Sequence, residues 1–365
     1  MAYMIDASGN LVPATGNMPG NVIEKNFTLS HQLGNAQAGE QVLLAVTPSD
    51  TSQSLELETY LGGYRQRGFG ADLVSRTVPT EKEEYKRRDF SHLNVFAPTP
   101  DDVGRSGAIN QVEHISELVP GKTKEHALAA FIPYAAEHDA VGTYKVRAAH
   151  TKMLRDKLDL NREIRIMDRA SATSTWHANN YMTITTAFRW NTGTTRDPLA
   201  DIYARLHQSW MPVTKIVMNL AVSEYFLADA KVIAHADFRL GTAGAKTSLM
   251  TESEAPGVQR FDLPGLPPFY IVDSKKFENN VMTPILADDV LFLSTPETLA
   301  GGETMASLLS FRYQGRSGTG YTVNEYQPYG RGLNGGVMLE AGYADDDVVV
   351  SQRAGGLIKS VLTGT

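Results

Sequence analysis

The sequence predicts an α+β fold, with helices and strands in separate stretches instead of alternating βαβ units. Three observations carry that expectation. One helical stripe, from Val141 to about Ala172, is long enough to cross a whole subunit. An extended, charged stretch precedes it, and strand-like runs dominate from Pro268 onward.

The long helix rests on Val146, Ala149, Met153, Leu160, Ile164 and Met167, which recur in steps of three, four and seven. At 1.5 Å per residue, about 30 residues span about 45 Å, well beyond an average helix. Its polar positions include the basic residues Lys145, Lys152, Arg155, Arg162 and Arg169. A solvated face is the plain reading of such a run. Contact with a polyphosphate backbone is the other, and it would be sequence-independent and salt-sensitive.

Ahead of this helix, residues 1–50 are rich in Gly, Asn, Pro, Ala and Gln and nearly free of charge. Only Gln41–Val46 reads as a strand there. Such a segment cannot bury enough apolar surface to fold alone. It is either a flexible tail or an arm that orders on other subunits. Leu55–Leu61 follows as a short helix stopped by Gly62-Gly63, and Leu73–Val78 as a strand closed by Pro79. Residues 80–139 read as a two-limbed β-excursion. Lys86, Arg87, Arg88 and Asp89 lie on its outward limb, a turn-rich tip at 97–107 carries Arg105, and His126–Tyr134 forms the return limb. A loop of this length is uncommon in a compact domain unless it is functional or supported from outside.

Beyond the long helix, Tyr181–Trp190 reads as a strand. A helix then opens with Asp197 as cap, Pro198 at its first position and Asp201 near the positive end of its dipole. Ile216–Met218 is a short buried strand, and Ser223 is expected to cap a helix carrying Phe226, Leu227 and Ala230. Pro268–Val272, a loop at Ile285–Asp289 feeding Val290–Leu293, and Asp345–Gln352 complete the strand-like runs.

Composition narrows the function. The 365 residues are 42% hydrophobic and 21% charged, with a net charge of −7, so the whole chain is neither disordered nor a general polyanion binder. Absence of cysteine removes disulfides, thiolate nucleophiles and cysteine-ligated metals. No run approaches the ~20 apolar residues of a membrane helix, and residues 1–20 lack the pattern of a signal peptide.

No catalytic, cofactor or metal site emerges. Gly121-Lys122-Thr123 ends like a phosphate-binding loop, but Ser116 stands where that loop needs glycine. The glycine-rich runs 315–320 and 330–336 lack dinucleotide-binding spacing and read as surface loops. No two histidines have zincin spacing. Asp288-Asp289 and Asp345–Asp347 are expected to be solvated turn carboxylates ahead of apolar strands, without calcium-loop alternation.

The order of parts resembles the major capsid proteins of tailed bacteriophages with the Hong Kong 97-type fold, especially the group typified by the phage lambda E protein. The likeness is closest from Asp197-Pro198-Leu199-Ala200-Asp201-Ile202 through Lys215–Met218 to Tyr225-Phe226-Leu227, with Ile285–Phe292 and Asp346–Ser351 as further similar segments. The resemblance implies an N-terminal arm at 1–75, an extended loop at 76–139 and a peripheral domain with a spine helix at 140–196. It further implies an axial domain at 197–335 and closing strands at 336–365 that return to the peripheral domain. It implies hexamers and pentamers that close an icosahedral shell in the virion, assembled in the host cytoplasm. Portal, scaffolding and decoration proteins and non-specific double-stranded DNA are the implied partners, with no membrane. A start at Met1 without a helical scaffold segment favours a separate scaffolding protein. Lys86, Arg87, Arg88, Asp89 and Arg105 would pair with a neighbouring subunit. An encapsulin-like compartment shell, another virion structural protein and an enzyme without recognisable motifs remain as alternatives.

Overall fold

The computed structural model describes residues 52–53, 68–90, 116–138, 145–192, 195–240, 250–252, 255, 257–295, 306–315, 320–327 and 335–363, with two short strands nearer the N terminus. The readings of Gln41–Val46, Leu55–Leu61 and the 97–107 tip lie outside these residues. Contacts divide the chain into residues 1–50 and 51–365. Within the first unit, β1 (Tyr3–Ile5) and β2 (Leu11–Pro13) form an antiparallel pair.

The larger unit contains two sheets crossed by one long helix. Seven strands form the first sheet, in the order β10 (Met250–Glu252), β11 (Gln259–Phe261), β12 (Phe269–Val272), β9 (Lys215–Asn219), β15 (Val290–Leu293), β19 (Gly355–Lys359) and β8 (Tyr181–Thr183). Strands β12, β9, β15 and β19 are apolar almost throughout because both faces are covered. Val217, Leu291 and Leu357 face the long helix, whereas Ile216, Met218, Val290, Phe292 and Ile358 face Ile202, Val222 and Phe226 on the other side.

The second sheet runs β3 (Ser52–Gln53), β17 (Thr322–Tyr326), β18 (Gly336–Val349), β16 (Leu308–Tyr313) and β4 (Arg76–Thr80), with β7 (Lys124–Pro133) along the other edge of β18. Two hairpins stand apart from both sheets, β5 (Glu84–Phe90) with β6 (Ser116–Lys122), and β13 (Lys275–Glu278) with β14 (Val281–Pro284).

The helical elements, in chain order, are α1 (Ala71–Val74), α2 (Tyr134–His138), the long α3 (Val146–Ser171), α4 (Pro198–Gln208), α5 (Leu220–Leu227) and α6 (Ala230–Leu240). The 26 residues of α3 extend about 39 Å. Leu154 and Leu158 pack with Leu339, Ala341 and Tyr343 of the second sheet. Ile166, Met167 and Ala170 pack with the first sheet. The buried face is rotated from the apolar stripe read in the sequence: Met153 is 41% exposed, while Arg155, Arg162 and Glu163 are buried. Charges that find partners inside can share a buried face, and apolar periodicity alone does not count them.

Glu163 explains how α3 holds the chain that precedes the excursion. Its carboxylate accepts from the Gly70 and Ala71 backbone N–H groups at 2.9 and 2.6 Å and from the Ser274 hydroxyl at 3.0 Å. It thereby supplies the acceptor that the exposed donors of a helix start require. Burial pushes this carboxyl upward against the pull of its hydrogen bonds.

Several expectations are corrected. Residues 71–74 form a helical turn, so the strand expected at Leu73–Val78 is shifted to Arg76–Thr80. The return limb of the excursion is β6; residues 124–133 pair with β18 in the body, because Leu128, Ala130 and Ile132 alternate onto the core beneath α3. Only Tyr181–Thr183 of the expected 181–190 strand is regular, and a 3-10 turn at Thr186–Phe188 follows. Ile184 and Trp190 still bond to Lys359 and Val361 along the terminal segment. Asn219, not Ser223, caps α5 through the Val222 N–H at 2.7 Å, and Ala230 begins a separate helix. Asp197 caps α4 through Ala200 N–H at 3.1 Å.

A boundary at 335 also divides strands that pair: β16 and β17 join β18 in the second sheet, while terminal β19 lies in the first. That last crossing needs glycine, since a Cβ on Gly355 would lie 2.3 Å from the Phe292 carbonyl oxygen.

Glu163→Ala would strand two backbone donors and one hydroxyl in the interior. A loss of about 3 kcal/mol or more is expected, read by urea unfolding of the isolated chain.

Candidate inter-subunit interface

The excursion's described part is a two-stranded hairpin, with Glu84 opposite Lys122 at its base and Phe90 opposite Ser116 toward its tip. It pairs with no third strand among the described residues. A lone hairpin is marginal in water, so its base must be fixed by packing. Tyr85 performs that task. Its ring stacks on Phe311 with centroids 4.3 Å apart, and its hydroxyl donates to Asp346 at 2.8 Å. Burial, then the bond to Asp346, raises the phenol above its ordinary range. Gly121 completes the base, because a Cβ there would lie 2.4 Å from the Tyr85 ring. The Thr123 N–H donates to the Glu83 carbonyl at 3.0 Å and closes the neck.

Asp346 belongs to a carboxylate run that joins this base to the long helix. Strand alternation sends Asp345 and Asp347 to one face of β18 and Asp346 to the other. Asp345 is 1% exposed and meets Arg165 at 3.1 Å, His126 at 3.3 Å, Arg312 at 3.5 Å and Arg162 at 3.7 Å. Asp347 accepts from Ser310 at 2.5 Å and lies 3.8 Å from Arg165. Arg162 continues to Asp72 at 2.8 Å and Thr77 at 3.1 Å, both in the segment feeding the excursion. Tyr321 lies 3.7 Å beneath Arg155 and 5.0 Å from Arg312, so the rings cover guanidinium faces removed from water.

These contacts overturn the reading of Asp345–Asp347 as solvated turn residues. They lie within a 14-residue strand, and Asp345 extends the core-facing series Leu339, Ala341 and Tyr343. That period of two was the available signal. Asp289 is buried too, accepting from Ser360 N–H at 2.9 Å.

The residues singled out in the sequence separate into groups. Lys86 is exposed on β5, and Arg87 is half-buried with its Nη1 lacking a hydrogen-bond partner among the described residues. Arg88 and Asp89 occupy the next two positions of the same strand, opposite Leu118 and Glu117. Arg105 lies outside the described residues. On α3 and its cap, Lys145 and Arg169 are exposed and Lys152 is half-buried. Arg155 and Arg162 are interior groups, so a single solvated basic face does not exist. Arg155 pairs with Asp159 at 2.7 Å.

Gly121-Lys122 ends β6 and Thr123 leads directly into β7, so no helix N-terminus follows to receive phosphate. Among the described residues no group of three or more metal-ligating side chains converges, and no helix is long and apolar enough to cross a membrane. A cleft of about 620 Å³ opens at the C-terminal end of α3, between Asp168, Arg189, Asp288 and Lys359.

This architecture is the α+β fold of the Hong Kong 97 type. No protein-family model matches the chain. It is similar to the major capsid protein of Pseudomonas phage JBD67, 26% identical over 136 residues. That match covers 37% of this chain and 44% of the phage protein, so it spans less than half the length of that relative. A phage-related protein of Bordetella bronchiseptica has a TM-score of 0.59 at 13% identity, over 85% of this chain and 97% of its own. The capsid of a native GTA particle gives a TM-score of 0.50 at 11% identity, over 88% and 97%.

His126 makes the cluster sensitive to acid. Burial and then Arg165 lower its pKa below 6.5, against the opposing pull of Asp345. A depressed base binds its proton more readily when unfolded, so its contribution is present above pH 6.5 and declines as pH falls. Melting temperatures at pH 7.5 and 5.5 are expected to differ less in His126→Gln than in the unmodified chain. Asp345→Asn is expected to cost about 3–5 kcal/mol at neutral pH, read by urea unfolding, because the buried Arg162 and Arg312 and the half-buried Arg165 lose the carboxylate they share.

Proposed function

We propose that this chain is a major capsid protein of a tailed bacteriophage, whose copies assemble into hexamers and pentamers that close an icosahedral shell around double-stranded DNA. Its role is structural and not enzymatic, and its location is the virion. The observation that carries the reading is the Hong Kong 97-type fold together with a projecting hairpin tied to the body at Tyr85. A hairpin held rigidly at its base, with no third strand beside it among the described residues, is suited to lie on another copy. Heterologous contacts of that kind close into rings when the rotation permits.

Lys86, exposed on the same hairpin, can meet an acidic side chain of a neighbour. Exposed pairs contribute only about 0–1 kcal/mol each, so shell stability rests on apolar burial and repetition, with charges setting register. With Arg155 and Arg162 interior, DNA contact from the long helix and its cap falls to the exposed Lys145, Lys157 and Arg169. Portal, scaffolding and decoration proteins are the further partners. The sequence match to a phage capsid protein favours this reading over a cellular compartment shell.

Expression with its assembly partners is expected to yield closed particles by negative-stain microscopy, with nuclease-protected DNA in those from infected cells. Monomers at all concentrations would overturn the proposal, and shells holding only protein cargo would favour the compartment reading. Lys86→Glu is expected to raise the concentration needed for assembly several-fold while leaving the subunit's unfolding free energy within about 0.5 kcal/mol.

A further inference from the structure

The hairpin β13–β14, which plays no part in the argument for the first projection, has the properties of a second. Asn279 and Asn280 take left-handed conformations, with φ of 52° and 62°, forming the tight turn that two-residue hairpins require. Phe277 pairs directly across from Met282, so the two share a face, while Val281, opposite Glu278 beside the turn, lies on the other face. They are 67%, 58% and 58% exposed, the three largest values among the exposed large apolar residues described.

The base, by contrast, is fixed. Ser274 bonds the buried Glu163, and its carbonyl accepts from Ile285 N–H at 2.9 Å, closing the neck. Beyond that neck, Ile285 and Leu286 enter the core. A rigidly mounted projection with apolar side chains at its end gains little within its own subunit.

From this arrangement we infer that the Lys275–Pro284 finger docks on a second copy of this chain, an inference that rests on the shell reading above. Charge argues for a protein surface. Lys275 pairs with Asp273 at 3.1 Å and Lys276 with Glu278 at 2.9 Å, so the finger offers no net charge to phosphates or anionic lipid. Area argues for a copy of the same chain. Phe277 and Met282 together present roughly 200 Å² of apolar surface on one face. A stable two-body complex needs about 800 Å² on each partner. Such a finger can bind only a partner that meets the chain elsewhere at the same time, as a shell neighbour does.

The test compares the full chain with a Phe277→Ser, Met282→Ser double variant, alongside Phe277→Leu. The double variant is expected to need at least tenfold more protein for half-assembly, with circular dichroism and urea midpoint of the free subunit unchanged and Phe277→Leu near the unmodified value. Because the chain lacks cysteine, Phe277→Cys can carry a benzophenone maleimide in assembled particles. Illumination is expected to join two copies covalently. This arm holds even if the double variant fails to fold. Equal assembly by the double variant without copy-to-copy cross-links would overturn the inference and leave the shell reading intact, as would cross-linking only to a different co-expressed protein. Failure of the unmodified chain to form particles would overturn both.

Discussion

Everything else in the larger unit depends on one helix being packed against two sheets at once. The N-terminal half of α3 covers the sheet built on β18, and its C-terminal half covers the sheet built on β9 and β15. Apolar burial holds both contacts, but adjacent charged residues fix the alignment. Arg162 reaches Asp72, Thr77 and Asp345, while Glu163 gathers Gly70, Ala71 and Ser274. Buried charges carry a desolvation cost that good geometry only partly offsets, so their contribution here is to specificity of arrangement more than to net stability.

The same pair of residues sets the footing of both projections. Asp72 and Thr77 lie in the segment feeding β5, and Ser274 stands at the neck of β13–β14. Tyr85 joins the first hairpin to Asp346, one residue from the carboxylate that meets the helix. A rigid footing lowers the entropy lost when a projection binds a partner.

The elements legible in the sequence were those whose local chemistry is sufficient. Asp197 and Pro198 opened α4 by capping alone, Ile216–Met218 declared a buried strand, and the long helix declared itself by periodicity. The orientation of that helix was not legible, because Arg155, Arg162 and Glu163 read as solvated until their partners at Asp159, Asp345 and Gly70 are in place. Those partners are distant in sequence apart from Asp159. The assignment of residues 124–133 failed for a related reason: an alternating strand does not declare which strand it joins, and β7 pairs 200 or more positions away. Of the candidate interface residues, Lys86 and Arg87 fall on the projecting hairpin, whereas the basic series on the helix divides between surface and interior.

If two rigidly mounted projections are completed by neighbouring copies, hydrogen exchange will distinguish free chains from intact particles. Amides of Glu84–Phe90, Ser116–Lys122 and Lys275–Pro284 are expected to gain strong protection on assembly, with Val146–Ser171 protected equally in both states. Hairpins whose exchange is the same in the free subunit and in the particle would contradict that completion.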